Sequence, residues 1–306
     1  MHMSLGDLKE LLVSNSHGIN EEYTRIFHGR GNTYEGYRFL TVDSVDKVLF
    51  AVLFEPCDEE DAIVSILRDF FCAEGKWEAL VVQQRYLPSS PSSVIEGEFP
   101  NETYAIENGL KYRINFLNAQ NIGFFPDMKL GREFVRDHAQ GKKVLNLFSY
   151  TCSFSVAAIS GGAVSVVNVD MNKNVLSVGR ENHRLNALDT KKVEFMPYNI
   201  LKSWSRIRKE GPYDLIIIDP PSFQKGSFAA TSDYEKIIRR LHEFAAEECI
   251  VLSALNAPEL NSGFIKTLFC DNAPEFRYVE RLKNLDSFPE KEEERSLKNL
   301  VFKKEP

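Results

Sequence analysis

KVLNLFSYTCSFSVAAISGGAVSVVNVD, residues 143–170, decides the fold. An apolar run at 144–148 leads into a short polar loop, a helical stretch at 154–160, and a second apolar run at 165–169 that ends on Asp170. Further on, DLIIIDPPSF at 214–223 supplies another buried strand, which stops at Asp219-Pro220-Pro221. Strand, tight loop, helix, strand and acid is the layout of a nucleotide-type cofactor site at the carboxyl edge of a parallel sheet.

The pattern continues outward. Apolar runs at 193–196, 215–218 and 250–253 read as strands, with helices expected at 174–186 and 232–246. Near-continuous apolar strands separated by helices imply a parallel sheet covered on both faces. Residues 278–282 and 299–302 are expected to pair as an antiparallel edge, because the polar run 290–295 suits a turn better than a crossover helix. Upstream, residues 1–20 read as an amphipathic helix, 38–55 as two strands around a turn at 43–47, 58–71 as a helix and 79–83 as a strand. PSSPSS at 88–93 reads as a loop or hinge. Residues 104–116 read as a hairpin turning at Asn108-Gly109. The expected organisation is a small α+β domain at 1–90, a linker and hairpin at 91–123, and an α/β domain at 124–306, with no internal repeat.

Composition sets bounds. The chain has 306 residues, 43% hydrophobic and 26% charged, which is ordinary for a globular enzyme. No apolar run approaches the roughly 18–20 residues a membrane span needs, and the N-terminus has no signal-peptide pattern, so a cytoplasmic location is expected. Five scattered cysteines form no CxxC pair or Cys/His cluster, so reduced thiols and no metal are expected. A net charge of −7 argues against a surface that grips nucleic acid everywhere, but leaves room for a local basic face. Two segments qualify, 202–209 with four basic residues and 25–38 with three arginines; the first also reads as a solvated helix face and the second as a turn-rich loop.

The chemistry centres on the strand ends. The loop Ser149-Tyr150-Thr151-Cys152-Ser153 precedes a helix whose free N–H groups point back at a ligand. It lacks GxGxxG, which disfavours a dinucleotide and makes a nicotinamide dehydrogenase a poor third reading. Asp170 is placed to accept hydrogen bonds from ribose hydroxyls, or simply to cap the next helix. Asn199 offers an amide oxygen to an adenine amino group, or serves as a turn residue. Asp219, Pro220, Pro221, Ser222 and Phe223 form a rigid turn that aims polar groups and an aromatic ring at whatever lies over the cofactor.

With these motifs in place, the chain resembles the class I S-adenosylmethionine-dependent methyltransferases, and more narrowly the bacterial large-subunit ribosomal RNA methyltransferases of the RlmI and RlmK kind. VLNLFSYTCSFSVAA, VVNVD, DLIIIDPPSF and GFFPDMKLGR (123–132) carry the likeness, with weaker support from RIFHGRGNTYEGYRFLTVD (25–43) and ENGLKY (107–112). The resemblance implies a Rossmann-like domain with a seven-stranded, mostly parallel sheet whose last strand is antiparallel, beside a smaller N-terminal α+β domain. It implies S-adenosylmethionine as cofactor. Phe148, Ser149, Tyr150 and Thr151 would hold the methionine end, Asp170 the ribose and Asn199 the adenine, with Asn146, Met171 and Ile200 also expected to bind the cofactor. Phe125, Asp127 and Arg132 lie in the segment that folds over the cofactor, and Asp219 to Phe223 match the target-base motif. The chain departs from the pattern at Cys152-Ser153, where relatives carry Gly-Gly, and at Asn199, where they carry Asp. The RNA-binding PUA module of the cytosine enzyme is not expected.

RNA is the expected substrate. Cytosine C5 becomes nucleophilic only after a thiolate adds to the ring. The position that carries that cysteine in the cytosine relatives is Ser253-Ala254-Leu255 here. Guanine N7 has its own lone pair, so a purine is favoured. Methylation of a small molecule or protein, and RNA binding without catalysis, remain as alternatives.

Overall fold

The computed structural model describes residues 3–117, 120–221, 223–224 and 228–306. They form two compact units, Met1–Pro126 with Leu285–Glu292, and Asp127–Asn284 with Glu293–Pro306.

The N-terminal unit contains α1 (Leu5–Asn15), β1 (Thr24–His28), β2 (Leu40–Val45), β3 (Val48–Leu53), α2 (Glu60–Glu74), β4 (Ala79–Gln84), β5 (Ser92–Gly97), β6 (Tyr104–Glu107) and β7 (Leu110–Arg113). Strands β1 to β5 lie in chain order in one sheet, antiparallel except where α2 crosses over between β3 and β4. Every residue of β2 and β3 is buried, because both sheet faces are covered. Leu8, Leu12, Ile63 and Leu67 pack on one face, and Phe116 and Ile122 on the other, with Phe116 meeting Phe50 at 4.8 Å between ring centroids.

This packing moves the expected boundaries. The hairpin β6–β7 and the segment beyond it belong to the N-terminal unit through Phe116, where a linker was expected. Ser89 and Ser90 take left-handed backbone angles and turn the chain so tightly that β5 already begins at Ser92, inside the expected loop. Strand β1, read from sequence as a turn-rich loop, pairs with β2 across a register shift.

The C-terminal unit contains α3 (Lys129–His138), β8 (Lys143–Leu147), α4 (Ser153–Ser160), β9 (Ser165–Val169), α5 (Lys173–Leu185), β10 (Val193–Met196), α6 (Trp204–Lys209) and β11 (Tyr213–Ile218). The short pair β12 (Phe223–Gln224) and β13 (Phe228–Ala229) follows, then α7 (Ala230–Ile238), β14 (Ala245–Leu255), α8 (Ser262–Asn272), β15 (Phe276–Leu282) and β16 (Lys298–Lys304). The sheet order is β10-β9-β8-β11-β14-β16-β15. All neighbours are parallel except those of β16, the last strand, which lies antiparallel between β14 and β15. Strand alternation sorts the core: Leu145 and Leu147 face Tyr234, Ile237 and Ile265, while Val144 lies on the opposite face with Val135 and Phe154. Helix α7 ends at Ile238, not near residue 246, because the Ala-Glu-rich segment after it joins β14, with Ala245 opposite Tyr213 on β11. The basic segment 202–209 becomes α6, seated by Ile207 in the core and by Trp204 stacked on Phe244 at 5.8 Å. Strand order reverses between β8 and β11, which is where ligands bind in open α/β sheets.

Candidate cofactor and active site

The loop leaving β8 is tightly wound. Phe148, Tyr150 and Cys152 all have positive φ (58°, 46° and 62°), a region that costs a residue with a Cβ about 1–2 kcal/mol. Local bonds hold this shape. Cys152 N–H donates to the Ser149 carbonyl at 2.7 Å, and Tyr150 N–H donates to Asp170 Oδ2 at 3.0 Å. The other carboxylate oxygen of Asp170 accepts from Asn172 N–H at 2.9 Å, at the start of α5. Asp170 thus does turn the chain toward the next helix, and it also ties the first loop to the end of β9. Each oxygen keeps a lone pair for a further donor. Burial pushes its carboxyl above the ordinary carboxylate range, against those two N–H groups, which favour the charged form.

Cys152 caps α4 and is fully buried. Its room comes from Gly179 on α5, where an added Cβ would lie 2.4 Å from the Cys152 sulfur. Burial raises the thiol pKa far above its usual value, so it packs as a small apolar group. The Cys152 side chain is therefore accommodated by a glycine across from it.

Three buried polar atoms near these strand ends have no hydrogen-bond partner among the described residues: Asn146 Oδ1, Ser149 Oγ and Asn199 Oδ1. Each lies at the end of β8, in the loop after it, or beyond β10. Buried polar atoms are ordinarily satisfied, so such a group marks places for a ligand's donors. A molecule with ribose hydroxyls, an adenine amino group and an ammonium fits this set. Asn199 also acts as a turn residue, its carbonyl accepting from Lys202 N–H at 3.1 Å, and Ile200 beside it is buried in the core. Met171 is 49% exposed next to Asp170.

Strand β11 delivers Asp219. Burial first, then the nearby Asp127 carboxylate, push its carboxyl up to about 7, while the Arg132 guanidinium pulls the other way. Arg132, on α3, is itself buried, and Asp127 lies in the turn just before that helix. Asp127 and Arg132 thus lie near enough to Asp219 for their charges to act on it. Pro220 is buried and Pro221 exposed beyond it. Ser222 and the Phe223 side chain lie outside the described residues. Phe125 belongs to the N-terminal unit and is 42% exposed.

Two features escaped the sequence reading. Tyr234 on α7 places its hydroxyl 2.8 Å from Ser253 Oγ and donates to the Ala254 carbonyl at 2.7 Å, bracing the end of β14 beside β11. A line of buried side chains, Asn146, Asn168, Ser155 and His183, runs from β8 through β9 and α4 to α5. No periodicity in the sequence announces either one. Among the described residues, no group of three or more His, Cys, Asp or Glu side chains is placed to hold a metal ion, and no helix is long and apolar enough to cross a membrane.

Known proteins share this architecture. Ribosomal RNA large subunit methyltransferase I of Aeromonas hydrophila is 33% identical over 196 residues, covering 62% of this chain and 49% of that protein. The chain therefore spans about half the length of that relative. The enzyme of the same name from Photobacterium profundum is 27% identical over 268 residues, 83% of this chain and 68% of its own. The crystal structure of SMU.776 complexed with SAH superimposes with a TM-score of 0.86 at 24% identity, over 99% of this chain and 82% of that one, and so shares the fold. The S-adenosylmethionine-dependent methyltransferase family matches residues 24–303. Nearly the whole chain is thus accounted for, and it belongs to the S-adenosylmethionine-dependent methyltransferases, with S-adenosylmethionine as cofactor.

Proposed function

We propose that this chain methylates a base of ribosomal RNA, at guanine N7 in preference to cytosine C5. The observation that carries the choice of base is the end of β14, where Ser253, Ala254 and Leu255 are buried and none is a thiol. Cys249 lies toward the other end of that strand, and burial pushes its thiol up to about 12, so it does not supply a thiolate. Cys152 is packed against Gly179, and Cys270 is exposed on α8. Guanine N7 needs neither a covalent adduct nor deprotonation.

S-adenosylmethionine supplies an electrophilic methyl group when bound. The chain's own residues then hold and orient. Asp170 takes the ribose hydroxyls, Asn199 the adenine amino group, and the loop Phe148–Thr151 the methionine end. Asp127 and Arg132 close over it, and Asp219 with the Pro220-Pro221 turn accepts from the exocyclic amine of the base. Proximity and orientation are the protein's main contribution to such a transfer. A base within a helix must first be flipped out, with Tyr150 and Phe223 as stacking surfaces. The names of the Aeromonas and Photobacterium relatives support RNA as substrate, and a ribosomal substrate implies a cytoplasmic location. The net charge of −7 favours a second reading, a small-molecule or protein substrate.

Mass mapping of ribosomal RNA nucleosides from a strain lacking the gene separates these. Loss of one 7-methylguanosine is expected. Loss of a 5-methylcytidine would overturn the choice of base, and an unchanged pattern would favour the second reading.

A further inference from the structure

The buried line from His183 to Asn146 has a direction. His183 is fully buried, and burial holds its pKa below the usual imidazole value, so the ring is neutral. Its Nδ1 lies 2.7 Å from the Gly179 carbonyl, which can only accept, so Nδ1 carries the proton. Nε2 is then an acceptor, and Ser155 Oγ, 2.9 Å away, must donate to it. With its hydrogen committed, Ser155 Oγ accepts from Asn168 Nδ2 at 3.0 Å. This fixes the Asn168 amide with Oδ1 toward β8, where it accepts from Asn146 Nδ2 at 2.9 Å. Turning either amide over would set two lone pairs, or two sets of N–H groups, against each other in a buried site. The one atom left over is Asn146 Oδ1, buried and without a partner.

We propose that His183 is a positioning residue. Through Ser155 and Asn168 it holds the Asn146 amide so that a carbonyl oxygen, not an amino group, is offered to the α-ammonium of S-adenosylmethionine. This rests on the reading that the loop after β8 holds the methionine end. An ammonium is donor-only, so the opposite amide orientation would present donors to a donor. Asp170, on the neighbouring strand, serves the ribose, which leaves Asn146 for the amino-acid end. The line thus passes a choice made at one ring nitrogen on α5 to the cofactor site on β8.

Titration calorimetry on the full chain tests this with two ligands. S-adenosylhomocysteine carries the ammonium; 5′-methylthioadenosine keeps adenine, ribose and sulfur but lacks the amino-acid end. His183→Phe and Ser155→Ala each free the amide to turn, and each should weaken S-adenosylhomocysteine about fivefold, the size of one net hydrogen bond. Both variants should bind 5′-methylthioadenosine within about twofold of wild type, while His183→Gln, which keeps an acceptor for Ser155, should restore S-adenosylhomocysteine affinity. Ser155→Ala decides alone if His183→Phe does not fold. Unchanged affinity for S-adenosylhomocysteine, or an equal loss for both ligands, overturns the proposal; the latter would mean that His183 merely holds the fold. Wild-type protein that binds no S-adenosylhomocysteine would instead sink the cofactor reading, and this inference with it.

Discussion

Two acids, one in each unit, are treated in opposite ways. Asp43, in the N-terminal sheet, is 1% exposed and sits 2.5 Å from the Arg25 guanidinium, with the Tyr23 hydroxyl bonded to the same carboxylate. Asp219, at the edge of the C-terminal sheet, faces a second carboxylate as well as an arginine, and is pushed up to about 7. The first acid is answered within the fold. The second is kept under tension, as groups in functional sites often are. Paired polar groups in a core hold structure, whereas polar groups left open at strand ends are places that a ligand's donors can fill.

The largest expected effect breaks the structural side of this contrast. Arg25→Ala leaves Asp43 buried without its cation and should cost about 3–5 kcal/mol of stability. Denaturant unfolding measures it, and a loss below about 1 kcal/mol would mean the pair is not the structural clamp described. Next comes Asp170→Ala, which should weaken S-adenosylhomocysteine by about 1.5–3 kcal/mol, the value of hydrogen bonds to a charged group. Wild-type affinity in that variant would reject the ribose assignment. Gly179→Ala drives a methyl group into the Cys152 sulfur and should cost about 1–3 kcal/mol of stability. Adding Cys152→Ala should recover part of that loss, and strict additivity in the double-mutant cycle would show that the two positions are not coupled.

The smallest effect sharpens the functional side through pH. A carboxyl whose folded pKa lies above its unfolded value of 3.8 keeps a proton that the unfolded chain has lost. Its contribution to stability is therefore greatest below about 4 and declines as pH rises toward about 7. The sulfonium of S-adenosylmethionine favours the ionised form, whereas neutral-sulfur S-adenosylhomocysteine does not. The preference for S-adenosylmethionine should thus grow a few-fold as pH climbs through about 7. A ratio flat with pH would place the sulfonium away from Asp219.

The C-terminal sheet was legible because its strands are continuous apolar runs that end on acids and prolines, so strand, loop and site were read together. Elsewhere tertiary pairing overrode local signals. Ala245–Glu248 has the composition of a helix but extends β14 alongside β11. Strand β1 hides its period behind a register shift at Arg25 to Phe27 and the partly buried Arg25 that binds Asp43. In the site, Asp170, Asn199 and Asp219 stood out as polar residues ending or following apolar runs. His183, Ser155 and Asn168 did not, because the hydrogen bonds that join them connect three separate elements and leave no spacing to read. Gly179 looked like an ordinary helical glycine until Cys152 was seen against it.

Titration calorimetry of the wild-type chain with S-adenosylhomocysteine and, separately, with NAD tests the central claim most directly. The account predicts one S-adenosylhomocysteine per chain and no NAD. Binding of NAD with no S-adenosylhomocysteine would contradict the assignment of the β8 loop, Asp170 and the open acceptors to S-adenosylmethionine.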